Sequence, residues 1–501
     1  MHLLNEPQID NKLSYSLALL NNENRLITTP WSRIVRGLGL GQYPIVYDEK
    51  ISGWIQDAFE ELKIKTNLKN NYTNFSSLLS DFICLLIKPN QNLSKEDYVN
   101  YIENIIYLIN HEFDPYCRIM QYCIAIDALA KLNINLFNFL DNKIDLGSIL
   151  FDTIHKIRAG VRKDENREKY GEYEKLSAYT SVFFSLAVCN KAELAINDES
   201  NHIADALKTL HNIPSPFFRG RGGSMLFSAI ALMGHAEMLG NPDQDYILQI
   251  LDYLDRAKDI GISPSFPQRM TPAFINLYPL LTMLNAIAAT GHNRALNYRQ
   301  DRILQAKNLM DELTPIERTH MGLYYIMAIN NLGLLDREKN YINMLIEELI
   351  ATIKSIDLSE NYFLNGIAGS YVIETAKIVG KGDCISEKLI QKISDCFSKM
   401  DGKLEDKVNR PYPFAYALTM LGELGYVHKL FEPSVCYENR SATSWMIDNL
   451  VYAGEGVDSR LYMFNHALIN LMLRMRGNTF PQLTAYKNFL FHADERQLRT
   501  L

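Results

Sequence analysis

Arginine recurs at one kind of place in this 501-residue sequence, at or just before the start of segments made almost wholly of small and apolar residues. Six of the eight segment starts contain it. The guanidinium group is a planar fork of N–H donors that binds carboxylate or phosphate through paired hydrogen bonds. The pattern predicts a ring of substrate-binding groups for an anionic small molecule: Arg118, Arg219, Arg221, Arg269, Arg318, Arg410 and Arg460.

The sharpest local signal in this set is the run 219–224, RGRGGS. Three glycines between two arginines predict a loop whose backbone N–H groups approach an anion closely. The run is not a P-loop, because the pattern GxxxxGK[ST] is absent. A rim loop without a ligand is the alternative. For each arginine, the alternative is that it caps a neighbouring helix or pairs with an acid such as Glu317, Glu360 or Asp458.

Groups suited to acid–base catalysis lie at the same segment starts. His320 follows Arg318 by two residues, and that positive charge favours the neutral imidazole, which can act as a base near neutral pH. A histidine that is simply bonded to backbone at a helix start is the alternative. The predicted catalytic residues are His320, Tyr173, Tyr362, Tyr412 and Glu317.

These residues must be positioned by helices. Eight segments are apolar nearly all round, among them 225–239 and 273–290, which is typical of helices buried on every side. Amphipathic segments such as 247–257 and 303–313 lie between them. Alternation of period two is rare, so strands are not predicted. The fold class is therefore all-α, with helical hairpins that form either two concentric layers or an open solenoid whose concave side the buried helices line. An inner helix starts at each arginine-bearing segment.

A glycine follows most of the buried segments, at intervals of 42 to 52 residues, and the set is Gly240, Gly291, Gly333, Gly380, Gly425 and Gly477. Glycine closes a helix by adopting a left-handed conformation that other residues disfavour. The spacing predicts one helical hairpin per interval, with each glycine at the end of a buried helix.

The alternation over about residues 114–480 resembles the α/α toroid superfamily, in which helical hairpins close into a barrel, as in terpenoid cyclases. The resemblance is architectural. The DxDD, DDxxD and QxxxGxW motifs and a prenyltransferase zinc-ligand set are absent. It implies an α/α barrel over residues 111–480, preceded by an N-terminal helical region over 1–110 and followed by a C-terminal tail over 481–501.

Composition excludes several classes of protein. The net charge of −7 argues against a nucleic-acid partner, because there is no basic excess to neutralise phosphates. No apolar run approaches the roughly 18 residues of a membrane span, and no secretory signal is recognised. Seven cysteines without metal-ligand spacing predict reduced thiols, no metal and a cytoplasmic location. The high content of Asn, Ile, Lys and Tyr is typical of AT-rich coding sequences and suggests a bacterial origin. No cofactor is predicted.

Three functions fit these patterns. The first is an enzyme of the lyase, cyclase or isomerase type in biosynthesis, which acts on an anionic, partly apolar metabolite held by the arginines. The second is a helical-repeat scaffold that binds a peptide or protein partner. The third is a polysaccharide lyase or hydrolase, which the presence of only three tryptophans makes less favoured. The sequence does not specify the oligomeric state.

Overall fold

The structure is a computed structural model that describes residues 48–65, 75–87, 93–112, 115–130, 132–140, 144–157, 171–197, 200–214, 216–241, 244–257, 271–355, 362–399, 425–451 and parts of 414–422 and 467–475. Its fold is all-α, as predicted. The helices are α1 Glu49–Lys65, α2 Phe75–Ile87, α3 Lys95–Asn110, α4 Pro115–Ala130, α5 Leu136–Leu140, α6 Leu146–His155, α7 Gly171–Val188, α8 His202–Asn212, α9 Pro216–Leu232, α10 Tyr246–Ala257, α11 Pro272–Thr290, α12 Arg302–Asp311, α13 Pro315–Asn331, α14 Lys339–Ser355, α15 Tyr362–Ile378, α16 Glu387–Asp395, α17 His428–Phe431 and α18 Ala442–Val451. Two antiparallel pairs of two-residue strands, β1 Gly240–Asn241 with β2 Gln244–Asp245 and β3 Pro433–Ser434 with β4 Arg440–Ser441, close loops.

The chain forms two compact units. Unit 1 contains residues 1–98, 262–270 and 346–477, and unit 2 contains residues 99–261, 271–345 and 478–501. The sequence suggests domain boundaries at 110/111 and 480/481, and these stay a prediction. The two compact units divide the chain at other positions.

Unit 2 has two layers of helices. Its inner helices α4, α7, α9, α11 and α13 pack against one another in chain order. The outer helices α6, α8, α10 and α12 each pack against the inner helices that precede and follow them. This is the predicted alternation of buried and amphipathic helices. Closure of the hairpins into a barrel stays a prediction.

The inner helix α11 shows why these segments are apolar all round. The expectation that no apolar run approaches the length of a membrane span was wrong for this helix, which is long and apolar enough to cross a membrane by length and composition alone. However, 72% of its most apolar 18-residue window is buried in unit 2. The outer helix α8 instead buries one stripe, which includes Ile203, Ala206 and Leu210, and exposes the other side. A helix between two layers of neighbours therefore needs apolar residues on every face, whereas an outer helix needs one apolar stripe.

Each inner helix ends in the same way. Seven residues with left-handed backbone follow helical segments: the five inner helices of unit 2 are followed by Asn133, Asn190, Gly234, Gly291 and Gly333, and two helical segments of unit 1 are followed by Gly380 and Gly425. In each case the next residue donates its N–H to the carbonyl five positions back, at 2.7 to 3.1 Å, which is the bond of a Schellman motif. Four of the predicted glycines therefore have the predicted role, and two asparagines extend the series toward the N-terminus.

Gly240 is the exception among the predicted helix-closing glycines. Its φ is −122°, and Gly234 closes the helix instead. A side chain at Gly240 would overlap the imidazole of His292, so close approach explains the glycine there. Gly477 lies outside the described residues.

The prediction of a glycine-rich loop at 219–224 was wrong, because these residues lie inside α9. A Cβ at Gly220 would lie 2.7 Å from Leu254 Cδ2 and 2.9 Å from Pro279 Cβ. A Cβ at Gly222 would lie 2.6 Å from Leu176 Cδ2. The glycines let α9 pack closely against α7, α10 and α11, and its backbone N–H groups belong to the helix instead of forming an anion-binding loop.

Unit 1 joins helices from both ends of the described chain. The helix α1 packs against α17 and α18, and Trp54 stacks on Phe431 with ring centroids 6.2 Å apart. Asp448 on α18 forms ion pairs with Lys65 and Arg440. Within the same unit, α15 packs against α16.

Candidate functional site

The three predicted anion-binding arginines whose side chains are described all contact backbone carbonyls. Arg118 donates to the carbonyl of Glu112 through Nε, at 2.9 Å, and through Nη2. Arg219 donates to Ile213 O at 2.7 Å and His211 O at 2.8 Å. Each guanidinium therefore caps the C-terminal end of the preceding helix, where carbonyls lack helical partners and the helix dipole is negative.

Arg318 does the same with three carbonyls. Its Nε donates to Met310 O at 3.1 Å, and its Nη2 donates to Asp311 O at 3.0 Å and Leu313 O at 3.2 Å. The alternative of helix capping therefore describes all three arginines. Their role in binding an anion stays a prediction.

The sequence carries a local signal for this capping. In each case a proline begins the inner helix and the arginine follows three residues later, in the sequences DPYCR, SPFFR and TPIER. Proline favours the first helical position, and the fourth position places the long side chain against the end of the previous helix. The recurrence of arginine is thus explained by local helix geometry.

Arg219 differs from the other two because it also lines a pocket. The pocket lies between the outer helices α8 and α10, has a volume of about 210 Å³, and is lined by Leu207, Leu210, His211, Arg219, Tyr246, Gln249, Ile250, Asp252, Tyr253 and Arg256. The guanidinium carbon of Arg219 lies 3.8 Å from the ring centroid of Tyr253, a cation–π contact. The Tyr253 hydroxyl donates to Pro214 O at 2.5 Å, which fixes the ring.

The charge around this pocket is mainly positive. Arg219 and Arg256 contribute two guanidinium groups, and burial lowers the pKa of Arg219 without removing its charge at neutral pH. The carboxylate of Asp252 accepts hydrogen bonds from the Tyr298 hydroxyl at 3.1 Å and Arg299 Nη2 at 2.9 Å. Asp252 is the one acid among the described lining residues, and Arg299 offsets its charge, so the pocket combines an apolar floor with a cationic rim.

Glu317, a predicted catalytic residue, has a structural role at the start of α13. It is 6% exposed and forms a capping box with Thr314. Its Oε1 also accepts the backbone N–H of Thr271 at 2.6 Å, and its Oε2 accepts the Thr271 hydroxyl at 3.1 Å. One carboxylate therefore joins the starts of α11 and α13.

His320 is buried one helical turn beyond the start of α13. It is 2% exposed, and its Nδ1 lies 3.0 Å from the carbonyl of Ile316, to which it donates as the neutral tautomer. Burial lowers the pKa of His320, so the imidazole is neutral at neutral pH, as predicted from the sequence on different grounds. The contact with backbone is the alternative that the sequence left open.

The remaining predicted residues are placed as follows. Tyr173 is buried in α7, where its ring packs against Phe218 with centroids 4.9 Å apart. Arg221 and Tyr362 lie in α9 and α15, and the structure describes only their backbone. Four predicted residues lie outside the described residues: Arg269, Arg410, Tyr412 and Arg460. Tyr253 and Arg256 are not predicted from the sequence, because they neighbour Arg219 only through the packing of α9 and α10.

Comparisons with known proteins add little to this geometry. No family model matches the chain, and no curated protein matches it. A solved structure, that of Ton1535 from Thermococcus onnurineus NA1, is similar at 14% sequence identity over 71% of this chain and 96% of that chain. Its TM-score of 0.27 is too low to support any argument about fold or function.

Proposed function

We propose that this chain is a helical-repeat binding protein, whose pocket between α8 and α10 holds an acidic peptide segment with an apolar side chain. The observation that carries the proposal is the pairing of Arg219 and Arg256 with an apolar floor that includes Leu207, Leu210 and Ile250. A carboxylate of the peptide would meet the guanidinium groups while the apolar side chain fills the floor.

The size of the pocket favours a peptide over a small metabolite. Its volume of about 210 Å³ is below the ~300 Å³ at which pockets for drug-sized ligands begin. A peptide uses such a pocket for one anchoring side chain and places its other residues along the neighbouring surface. Repeated helical hairpins supply extended surfaces of this kind.

Binding is favoured over catalysis because of what the predicted acid–base residues contact. Glu317 accepts four hydrogen bonds within two helix caps, and His320 is buried against a backbone carbonyl. Neither lines the pocket beside Arg219. Lyase, cyclase or isomerase chemistry on an anionic metabolite therefore stays a prediction from the sequence.

The test is selection of a random peptide library on the full chain. We expect selected peptides to be enriched in Asp or Glu within three residues of Leu, Phe or Met. Arg256→Ala should weaken their binding about tenfold, because this exposed side chain contributes charge to the pocket rim. The matched control is Arg337→Ala, an exposed arginine of unit 2 outside the pocket, which should leave the affinity unchanged.

Arg219→Ala should weaken binding further, and Arg318→Ala is its control, because both variants lose a helix cap but only the first loses a pocket residue. Selected peptides without acidic residues, or equal affinities of the Arg256→Ala and Arg337→Ala proteins, would refute the proposal.

A further inference from the structure

Two histidines and an aspartate converge near the start of α8, and none of them lines the pocket. His155 is the last residue of α6, and His202 and Asp205 lie in the first turn and a half of α8. One ligand atom from each of the three lies within 4.8 Å of the others. His202 Nδ1 and Asp205 Oδ2 are 3.8 Å apart. The cluster contains the two ligand types, imidazole nitrogen and carboxylate oxygen, that bind Zn²⁺ and related divalent ions.

The surrounding contacts hold these side chains in place. Phe151, one turn before His155, stacks on the ring of His202 with centroids 3.6 Å apart and an angle of 9°. Asn201 caps α8 by accepting the N–H of Ala204, which fixes the first turn of the helix. Spacing of three residues then puts His202 and Asp205 on one face of α8. Two helices therefore present the three side chains to a common point.

The separations are close to those of a metal site. Zn–N and Zn–O distances of about 2.0 to 2.1 Å in a tetrahedron place ligand atoms about 3.3 Å apart. His155 and Asp205 are exposed, so small changes of side-chain torsion bring their ligand atoms together without moving the helices. Three protein ligands leave a fourth position for water, as in zinc sites with an open position.

A buried tyrosine that packs against the cluster is a second observation. Tyr179 in α7 is 0% exposed, and its ring packs edge-on to His155 with centroids 6.4 Å apart. Its hydroxyl has no hydrogen-bond partner among the residues that the structure describes. Buried hydroxyls nearly always have a partner, and a water on the open position of a metal would supply one.

We propose that His155, His202 and Asp205 bind one divalent transition-metal ion of the Zn²⁺ class, which fastens the end of α6 to the start of α8. The sequence predicts no metal, because its cysteines lack the spacing of metal ligands. His155 lies 47 positions before His202, and only the fold brings them together. The site is separate from the pocket, which lies toward the other end of α8.

The test is titration of the full chain, freed of metal by a chelator, with Zn²⁺ by calorimetry and with Co²⁺ by visible absorption. We expect one equivalent to bind and to raise the Tm. His202→Gln and the isosteric Asp205→Asn should each weaken binding at least tenfold. The control is His235→Gln, which removes a histidine of unit 2 outside the cluster and should bind normally.

Circular dichroism of the metal-free variants separates loss of a ligand from loss of folding. If His202→Gln does not fold, Asp205→Asn decides the outcome. The proposal is refuted if the unaltered chain binds no equivalent of either ion, or if a folded variant binds both ions as tightly as the unaltered chain does.

Discussion

The junction between α8 and α9 and the junction between α12 and α13 share one plan for the helix cap. In both, a proline begins the inner helix, and the arginine at its fourth residue caps the preceding outer helix. The third residue differs. Phe218 packs against Tyr173 of α7, whereas Glu317 accepts hydrogen bonds from Thr271 at the start of α11.

The neighbouring outer helices differ too. Tyr253 of α10 lies under Arg219 and leaves a pocket beside it. Tyr341 of α14 instead donates its hydroxyl to Asp311 at the end of α12, at 3.1 Å. The position of these arginines therefore follows from the helix cap that the junctions share. A binding function is indicated only by the contacts that differ between junctions.

The aromatic junction should be the more costly to remove. Phe218→Ala deletes a buried ring that packs between α7 and α9 and leaves a cavity, so we expect a loss of about 3 kcal/mol in the free energy of unfolding. Urea denaturation followed by circular dichroism measures it. A loss below about 1 kcal/mol would mean that the two inner helices do not depend on this contact.

The polar junction should lose about 2 kcal/mol in Glu317→Gln. The amide has one acceptor oxygen instead of two, so part of the N–H and hydroxyl set of Thr271 and Thr314 is left buried without an acceptor. Glu312→Gln, an exposed acid at the end of α12, is the control and should change stability by less than about 0.5 kcal/mol. Equal effects in both variants would contradict the structural role of Glu317.

The two capping arginines should differ in their coupling to Tyr253. Each Arg→Ala change removes hydrogen bonds to helix-end carbonyls and should cost about 1 kcal/mol. Arg219→Ala also removes the cation–π contact, so a double-mutant cycle with Tyr253→Leu should give a coupling of about 0.5 to 1 kcal/mol. The same cycle with Arg318 should give a coupling near zero, and a similar value there would contradict the comparison.

Much of this arrangement was accessible from the sequence. The apolar runs predicted the inner helices, and α11 begins at Pro272, within one residue of the predicted 273. The start of α9 was predicted nine residues late, because RGRGGS has the composition of a loop. Its glycines are required by the approach of Leu176 and Leu254, and such contacts between distant residues leave no local pattern.

The candidate sites show the same limit. The proline–arginine spacing that explains the caps is local, so it was visible in the sequence. The neighbours of Arg219 in the pocket come from another helix, as does His155 in the histidine cluster. A side chain's type is local information, whereas the groups that give it a function are supplied by packing.

The opposite ends of the inner helices provide the strictest check, because there the hairpins should be alike, and Asn190→Gly has the smallest expected effect. Asn190 and Gly234 both have left-handed backbone, with φ of 53° and 87°. A Cβ at Gly234 would have no atom within 4 Å, so only the backbone conformation opposes a side chain there. Gly234→Ala should therefore cost about 1 kcal/mol.

Gly234→Asn should cost less than Gly234→Ala, because asparagine tolerates the left-handed region better than alanine does. In the reverse direction, Asn190→Gly should be neutral or stabilise the fold by up to about 0.5 kcal/mol. Thermal unfolding of the three variants measures the order. If asparagine and alanine were equally costly at position 234, the left-handed conformation would not be what selects the residue there. The ends of the hairpins would then differ from one another as their starts do, and the seven left-handed residues would not form one series.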